Sequence, residues 1–79
     1  MRVRLLYFAS LRDQAQRESE CVEVQAGSLQ QLYEAAQERH GFALPRARLR
    51  VARNGAFAHW QEMAAEGDEV AFIPPVSGG

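Results

Sequence analysis

The single long amphipathic segment of this chain lies near its centre, in residues 28–41, and restricts the fold more than any other feature. Ser28 is a preferred helix N-cap residue, and Gly41 stands where such a helix would end in a left-handed residue. Apolar side chains recur at the i, i+3, i+4, i+7 spacing of one helix face, namely Leu29, Leu32, Tyr33 and Ala36. Because such a helix covers a core, other elements must supply the surface on which it packs.

Alternation of apolar and polar residues predicts five strands around this helix. Two precede it and three follow it, in residues 2–8, 20–25, 48–51, a short segment near Phe57, and residues 69–73. Asn54-Gly55 is a hairpin-turn dipeptide between the third and fourth strands, and Pro74 ends the last strand. We expect the first two strands to pair with each other as a hairpin.

The order ββαβββ in a chain this short predicts an α+β roll of the β-grasp, or ubiquitin-like, class. In this fold a mixed sheet of four to five strands has one main helix packed on one face. Two small helical insertions are expected, one in residues 11–16 capped by Ser10 and one turn in residues 61–65. Residues 1–73 would form the domain and residues 74–79 a flexible tail.

Length and composition exclude several classes of protein. Seventy-nine residues make one domain, which buries about 60–65% of its surface and has too little material to wall off a deep pocket. This argues against a self-contained enzyme. Charged residues at 24%, hydrophobic residues at 47% and no apolar run of roughly 20 residues exclude disordered and membrane-spanning chains. A single cysteine, Cys21, and no signal-peptide pattern predict a cytoplasmic location.

The last six residues have the composition of a tail that reaches into a partner. Pro74 and Pro75 stiffen its base, Val76 and Ser77 follow, and Gly78 and Gly79 leave a tip without side-chain bulk. Extended, six residues span about 20 Å. The terminal carboxylate of Gly79 is a poor electrophile, so acyl chemistry requires activation, and the chain has no phosphate-binding loop or metal motif for that. A frayed terminus is the alternative interpretation.

Two stretches of sequence resemble a known family. The C-terminal GDEVAFIPPVSGG of residues 67–79 and the N-terminal YFASLRD of residues 7–13 are similar to signatures of the small subunit of molybdopterin synthase, the MoaD family of ubiquitin-like sulfur carriers. The likeness covers the whole length, and its C-terminal end is the most specific part. Pro74 to Ser77 favour this family over thiazole carriers, which are usually shorter and lack the Pro-Pro-Val-Ser segment before the diglycine.

The resemblance implies a carrier cycle in which other proteins perform the catalysis. An E1-like, MoeB-like enzyme would use ATP and Mg to adenylate Gly79, and a sulfur donor would convert it to a thiocarboxylate. The loaded tail would enter a MoaE-like large subunit and give sulfur to cyclic pyranopterin monophosphate. The resemblance also implies a heterotetramer, a catalytic site on the large subunit, and no cofactor bound by this chain.

Outward-facing apolar residues near the tail predict a docking surface. If alternate residues of the first and last strands face the core, then Phe8 and Ile73 point outward. Both, with Phe57, match apolar contact positions of the family, and Arg12 matches an interface or salt-bridge arginine. Alternatively, the apolar residues could simply cover the small core. Arg12 could likewise be a solvent-exposed helix arginine without a partner role. Pro74, Pro75, Val76 and Ser77 complete the predicted partner-binding set.

The remaining distinctive residues favour structural roles. We expect Cys21 to pack as a small apolar residue and Trp60 to pack against the core. His40 and His59 are isolated and make no metal site. Four arginines are expected to form a solvated stripe on the sheet face away from the helix, with docking to an acidic partner as the second interpretation: Arg2, Arg4, Arg48 and Arg50. The slightly negative net charge argues against nucleic acid as a partner.

Three other functions remain open. A sulfur carrier for thiamin thiazole, cysteine or tRNA thiolation would share the fold and the diglycine. A ubiquitin-like binding module would dock through its sheet and never use its terminus. A protein modifier would join Gly79 to lysines of target proteins. The chain itself contains no lysine, which rules out only chains linked through its own side chains.

Overall fold

A computed structural model of the chain describes residues 1–75. It contains five strands, two α-helices and one short 3-10 helix. In chain order these are β1 (Arg2–Tyr7), α1 (Ala9–Ala15), β2 (Ser19–Glu23), α2 (Leu29–His40), the 3-10 helix (Arg46–Arg48), β3 (Arg50–Arg53), β4 (Ala56–Ala58) and β5 (Glu69–Ile73). The expected β-grasp architecture is confirmed, with all five strands in one mixed sheet.

The strands lie in the order β2-β1-β5-β3-β4. The first and last strands pair in parallel at the centre of the sheet, with Leu6 opposite Ala71, and every other pairing is antiparallel. The β2 and β4 strands form the two edges. The C-terminal strand is therefore central, and the chain leaves the sheet beside the end of β1.

Alternate residues of the central strands face α2 and form the core. Val3, Leu5 and Tyr7 of β1 are at most 2% exposed, as the alternation predicted. The apolar face of α2 is buried against them, and Trp60 packs on this core with its ring stacked on that of Phe72. The core includes fourteen buried side chains: Val3, Leu5, Tyr7, Leu11, Ala15, Leu29, Leu32, Tyr33, Ala36, Phe42, Leu49, Val51, Val70 and Phe72.

Both predicted ends of α2 are confirmed. The hydroxyl of Ser28 accepts a hydrogen bond from the backbone N–H of Gln31, and the Gln31 side chain accepts one from the backbone N–H of Ser28. Gly41 follows the helix at φ 70°, a left-handed conformation that glycine adopts at little cost. Two unpaired backbone donors are thus satisfied at the N-terminus.

Replacing Ser28 by alanine is expected to lower the free energy of unfolding by about 1 kcal/mol, because the N3 amide loses its side-chain acceptor. Urea unfolding followed by circular dichroism measures this. Ser28→Asp, which retains an acceptor, should stay within a few tenths of the wild-type value. Equal stability of the alanine variant and the wild type would contradict a role for the cap.

Several predicted boundaries are wrong. Ser10 does not cap α1: the helix begins at Ala9, two residues earlier than predicted, and Phe8 occupies the N-cap position without a side-chain hydrogen bond. Ala9 itself adopts a left-handed φ of 51°, which turns the chain away from the sheet. The β1 strand therefore ends at Tyr7 and does not include residue 8 as predicted. Arg48 belongs to the 3-10 helix, so β3 begins at Arg50.

Three further expectations are corrected by long-range contacts. Residues 61–65 form no helical turn, because Met63 pairs with Ser28 as an isolated β-bridge. The predicted antiparallel pairing of β1 with β2 is confirmed, but β2 starts at Ser19 and stops at Glu23, opposite Arg2, so the strand is shifted from the predicted residues 20–25. Cys21 is exposed, since it lies on the sheet face that α2 leaves uncovered. No helix within residues 1–75 is long and apolar enough to cross a membrane.

Candidate functional site

The sheet face opposite α2 carries an apolar row that crosses four strands. Leu6 of β1 lies opposite Ala71 of β5, Ala71 opposite Ala52 of β3, and Ala52 opposite Phe57 of β4. The two alanines form a shallow floor between the larger side chains. Because these residues point away from the core, the row faces outward.

The next row toward the tail widens this surface. Phe8 follows β1 and Ile73 ends β5, and both line two neighbouring grooves of about 690 and 280 Å3 in volume. Phe8 is 44% exposed, Phe57 is 62% exposed and Ile73 is half-buried. We call the six residues of the two rows the outer patch: Leu6, Phe8, Ala52, Phe57, Ala71 and Ile73.

The base of the tail borders the outer patch. Pro74 and Pro75 follow Ile73 directly and line the larger groove together with Leu44 and the first residues of α1. Five of the predicted partner-binding residues, namely Phe8, Phe57, Ile73, Pro74 and Pro75, therefore meet at one end of the sheet. The other predicted tail residues, Val76, Ser77, Gly78 and Gly79, lie outside the described residues.

Arg12 lies beside this surface. It is exposed, forms an ion pair of 3.9 Å with Glu18 and lines a third groove that also contains Phe8. A solvent-exposed pair of this length contributes little to stability, which leaves the guanidinium available for a partner. Sequence reasoning missed Leu6, Ala52 and Ala71, because only the strand register brings these three residues together.

Ion pairs cover the half of this sheet face that lies away from the tail. Arg2 pairs with Glu23 at 3.5 Å, and Arg4 pairs with Glu69 at 3.4 Å. The predicted arginine stripe is thus divided, because Arg48 leaves it and its two N-terminal members are neutralised by carboxylates of this chain. Net positive charge of the stripe is confined to Arg50, which lies opposite Ile73.

A partly buried carboxylate holds the end of β1 just before Phe8. Glu20 of β2 accepts hydrogen bonds from the Tyr7 hydroxyl and from Arg39 at 3.0 Å, and its Oε2 lies 2.7 Å from Nε2 of His40. Burial raises the pKa of Glu20, but hydrogen bonds from Tyr7, His40 and Arg39, with the charge of Arg39, outweigh it and lower the pKa to about 2. Burial and the Glu20 carboxylate raise the pKa of Tyr7, so its hydroxyl keeps its proton.

This cluster predicts a loss of stability in acid. The pKa of Glu20 in the folded chain lies below its ordinary value of 4.5, so its stabilisation is complete above about pH 4.5 and is lost as the pH falls through about 2. We expect this carboxylate to account for about 3 kcal/mol of the free energy of unfolding lost over that range. Urea midpoints measured from pH 5 to pH 2 should fall less steeply for Glu20→Gln than for the wild type.

Glu38→Gln, at an exposed glutamate of α2, is the matched control and should retain the wild-type pH dependence. Equal slopes for Glu20→Gln and the wild type would show that Glu20 does not carry the acid sensitivity. Within residues 1–75 no group of histidine, cysteine, aspartate and glutamate side chains could hold a metal ion. The surface is suited to docking, and Pro74 and Pro75 lie at its edge.

Comparison with known proteins places these features in context. The model of the ThiS family matches residues 5–79. The molybdopterin synthase sulfur carrier subunit of Escherichia coli K12 is 33% identical over 82 residues, which cover 98% of this chain and 99% of that protein.

Solved structures share the fold over the whole chain. The crystal structure of SAMP1 from Haloferax volcanii matches with a TM-score of 0.85 and 29% identity, covering 100% of both chains. A complex of subunits 1 and 2 of molybdopterin-converting factor from Helicobacter pylori contains a chain that matches with a TM-score of 0.70 and 22% identity, again over 100% of both chains. At that identity the second likeness concerns the fold alone.

Proposed function

Because the chain belongs to the ThiS family, we propose that it is a sulfur carrier of molybdenum cofactor biosynthesis, loaded at Gly79. The observation that carries this proposal is the junction of an exposed apolar patch with a stiff Pro74-Pro75 base. A carrier needs both parts, because the patch docks the domain while the tail delivers a reactive terminus to a partner's active site.

In the proposed cycle an E1-like enzyme activates the Gly79 carboxylate with ATP and Mg, and a sulfur donor displaces the adenylate to leave a thiocarboxylate. The thiocarboxylate is a soft nucleophile that is ionised at neutral pH, so it needs no general base from this chain. A MoaE-like large subunit then receives the tail, and sulfur passes to cyclic pyranopterin monophosphate.

Sequence similarity supports molybdopterin synthesis over other sulfur-transfer pathways as the use of this carrier. The Escherichia coli protein, 33% identical over nearly the whole chain, is a sulfur carrier subunit of molybdopterin synthase. We infer that a large subunit covers the outer patch of this chain, with the other half of a heterotetramer formed by a second such pair. Reducing conditions, as in a cytoplasm, would protect the loaded terminus.

A protein-modifier function is the second candidate, favoured by one observation. SAMP1 of Haloferax volcanii is a small archaeal modifier protein, and its structure is similar to this chain over the full length. A modifier would use the same activated Gly79 and join it to an amine instead of converting it to a thiocarboxylate. The two functions therefore differ in the nucleophile that reaches the tail.

Intact mass spectrometry separates these candidates. The chain is incubated with the activating enzyme of its own organism, ATP and a sulfur donor, then mixed with the large subunit and cyclic pyranopterin monophosphate. We expect an oxygen-to-sulfur mass increase that disappears as molybdopterin forms. A loaded chain that serves only thiazole synthase would identify another client, and a mass corresponding to a lysine conjugate would establish the modifier. No change, with an enzyme active on another carrier, would overturn all three.

A further inference from the structure

One cation interrupts the apolar surface beside the tail. Arg50 lies opposite Ile73 in the β3–β5 pairing, and its guanidinium carbon sits 4.0 Å from the centre of the Phe57 ring. The side chain is exposed, and it is flanked by two residues of the outer patch. Stacking on an aromatic face orients the planar guanidinium and leaves its edge N–H donors free to bind.

Arg50 differs from the other two strand arginines of this sheet face in its charge balance. Arg2 and Arg4 each pair with a glutamate of this chain. Among residues 1–75 no carboxylate lies within ion-pair distance of Arg50. The sequence also carries no aspartate or glutamate between Glu38 and Glu62. The cation is therefore not balanced by its own surroundings.

A partner that covers the outer patch must also cover Arg50. Removing a guanidinium from water without giving it an acceptor is strongly unfavourable. The partner must therefore supply an acceptor, and a carboxylate accepts two parallel hydrogen bonds from the guanidinium edge.

Resting on the proposed function, we propose that Arg50, stacked on Phe57, is a specificity-determining residue that binds an aspartate or glutamate side chain of the large subunit at the edge of the outer patch. A large subunit with an apolar or basic residue at that point would leave the guanidinium unpaired, so it would be rejected. Apolar contact with Phe8 and Ile73 supplies much of the surface area buried in the complex. Arg50 then selects among partners with similar apolar surfaces.

Titration calorimetry of the chain with the large subunit of its own organism tests this at low and high salt. We expect Arg50→Gln to weaken binding about 10- to 100-fold and to reduce the salt dependence, with Arg50→Glu weaker still. Arg4→Gln removes a cation that is already paired within the chain, so its Kd should change less than about threefold. Thermal unfolding of each variant confirms that the domain is intact.

A charge exchange completes the test. Each acidic residue on the contact face of the large subunit is replaced in turn by lysine, and one replacement should restore binding of Arg50→Glu. Wild-type affinity of Arg50→Gln would overturn this inference and leave the proposed function standing. Tighter binding of Arg50→Gln would also overturn it, since it would mean that the chain's own terminal carboxylate occupies Arg50. No binding by the wild type would overturn the proposed function and this inference together.

Discussion

Replacing Phe8 by aspartate is expected to weaken binding to the large subunit at least 100-fold without destabilising the domain. Phe8 lines all three grooves around the outer patch, so an aspartate would place an unpaired carboxylate at the centre of the contact. The same residue occupies the N-cap position of α1, where aspartate is preferred and phenylalanine provides no acceptor. The free energy of unfolding should therefore stay constant or rise.

Calorimetric Kd values and urea unfolding on the same preparations check both halves of this prediction. Phe8→Leu keeps an apolar side chain and should bind within about fivefold of the wild type. Met63→Asp makes a similar apolar-to-acidic change at a residue that is 57% exposed but lies outside the outer patch, and it should leave the Kd unchanged. If Met63→Asp were as harmful as Phe8→Asp, net charge rather than the outer patch would explain the loss.

Removing Gly79 is expected to abolish sulfur loading while leaving the domain and its binding to the large subunit intact. The shortened tail still ends in a glycine carboxylate, but that group is retracted by about 3.5 Å. Because a displacement of about 1 Å in a reacting group can cost 100-fold in rate, we expect loading to fall by more than about 1,000-fold. The outer patch is unaltered, so the Kd should change only slightly.

Intact mass after single-turnover loading measures this effect. Ser77→Ala retains tail length and should load within about threefold of the wild type. A variant with one alanine added after Gly79 should also fail to load, because the terminal carboxylate then belongs to an alanine, whose α-carbon carries a methyl group. Loading of the deletion variant at the wild-type rate would contradict a requirement for Gly79 as the reacting residue, whereas a wild-type chain that is not loaded at all would favour the simple binding module.

Local sequence was sufficient for the elements whose ends are determined within a few residues. The α2 helix is one example, since Ser28 and Gln31 form its cap and Gly41 supplies its left-handed end. The β3–β4 turn is another: Asn54 and Gly55 adopt φ angles of 52° and 88°, as their dipeptide predicted. In both cases the side chains that decide the structure are neighbours in the chain.

The sequence-based predictions failed where distant contacts, or a backbone conformation that the residue type does not indicate, decide the structure. Met63 was expected in a helical turn, but pairing with Ser28 holds it extended. Ser10 was expected to cap α1, but the left-handed Ala9 starts the helix earlier, and alanine gives no signal of such a conformation. The position of Cys21 on the outer sheet face followed from alternation, whereas its exposure depends on what covers that face.

The candidate site was predictable in its largest members only. Alternation directs Phe8 and Ile73 outward, and Phe57 was proposed from its match to a contact position of the family. Ala52 and Ala71 look like ordinary small strand residues, and their contribution as a floor depends on the register of β3 with β5. The selectivity that we assign to Arg50 needed the pairing of the other arginines, which connects residues up to 65 positions apart.

Parallel pairing of the first strand with the last has a consequence for synthesis on the ribosome. The β1 strand is made before its central neighbour β5, so the sheet cannot close until residues 69–73 have emerged. A product that terminates before Glu69 lacks the strand between β1 and β3, and with it Ala71 and Ile73, two of the six residues of the outer patch. Incomplete chains therefore cannot fold into tailless competitors that would occupy the partner, and folding itself restricts docking to chains that have reached the base of the tail.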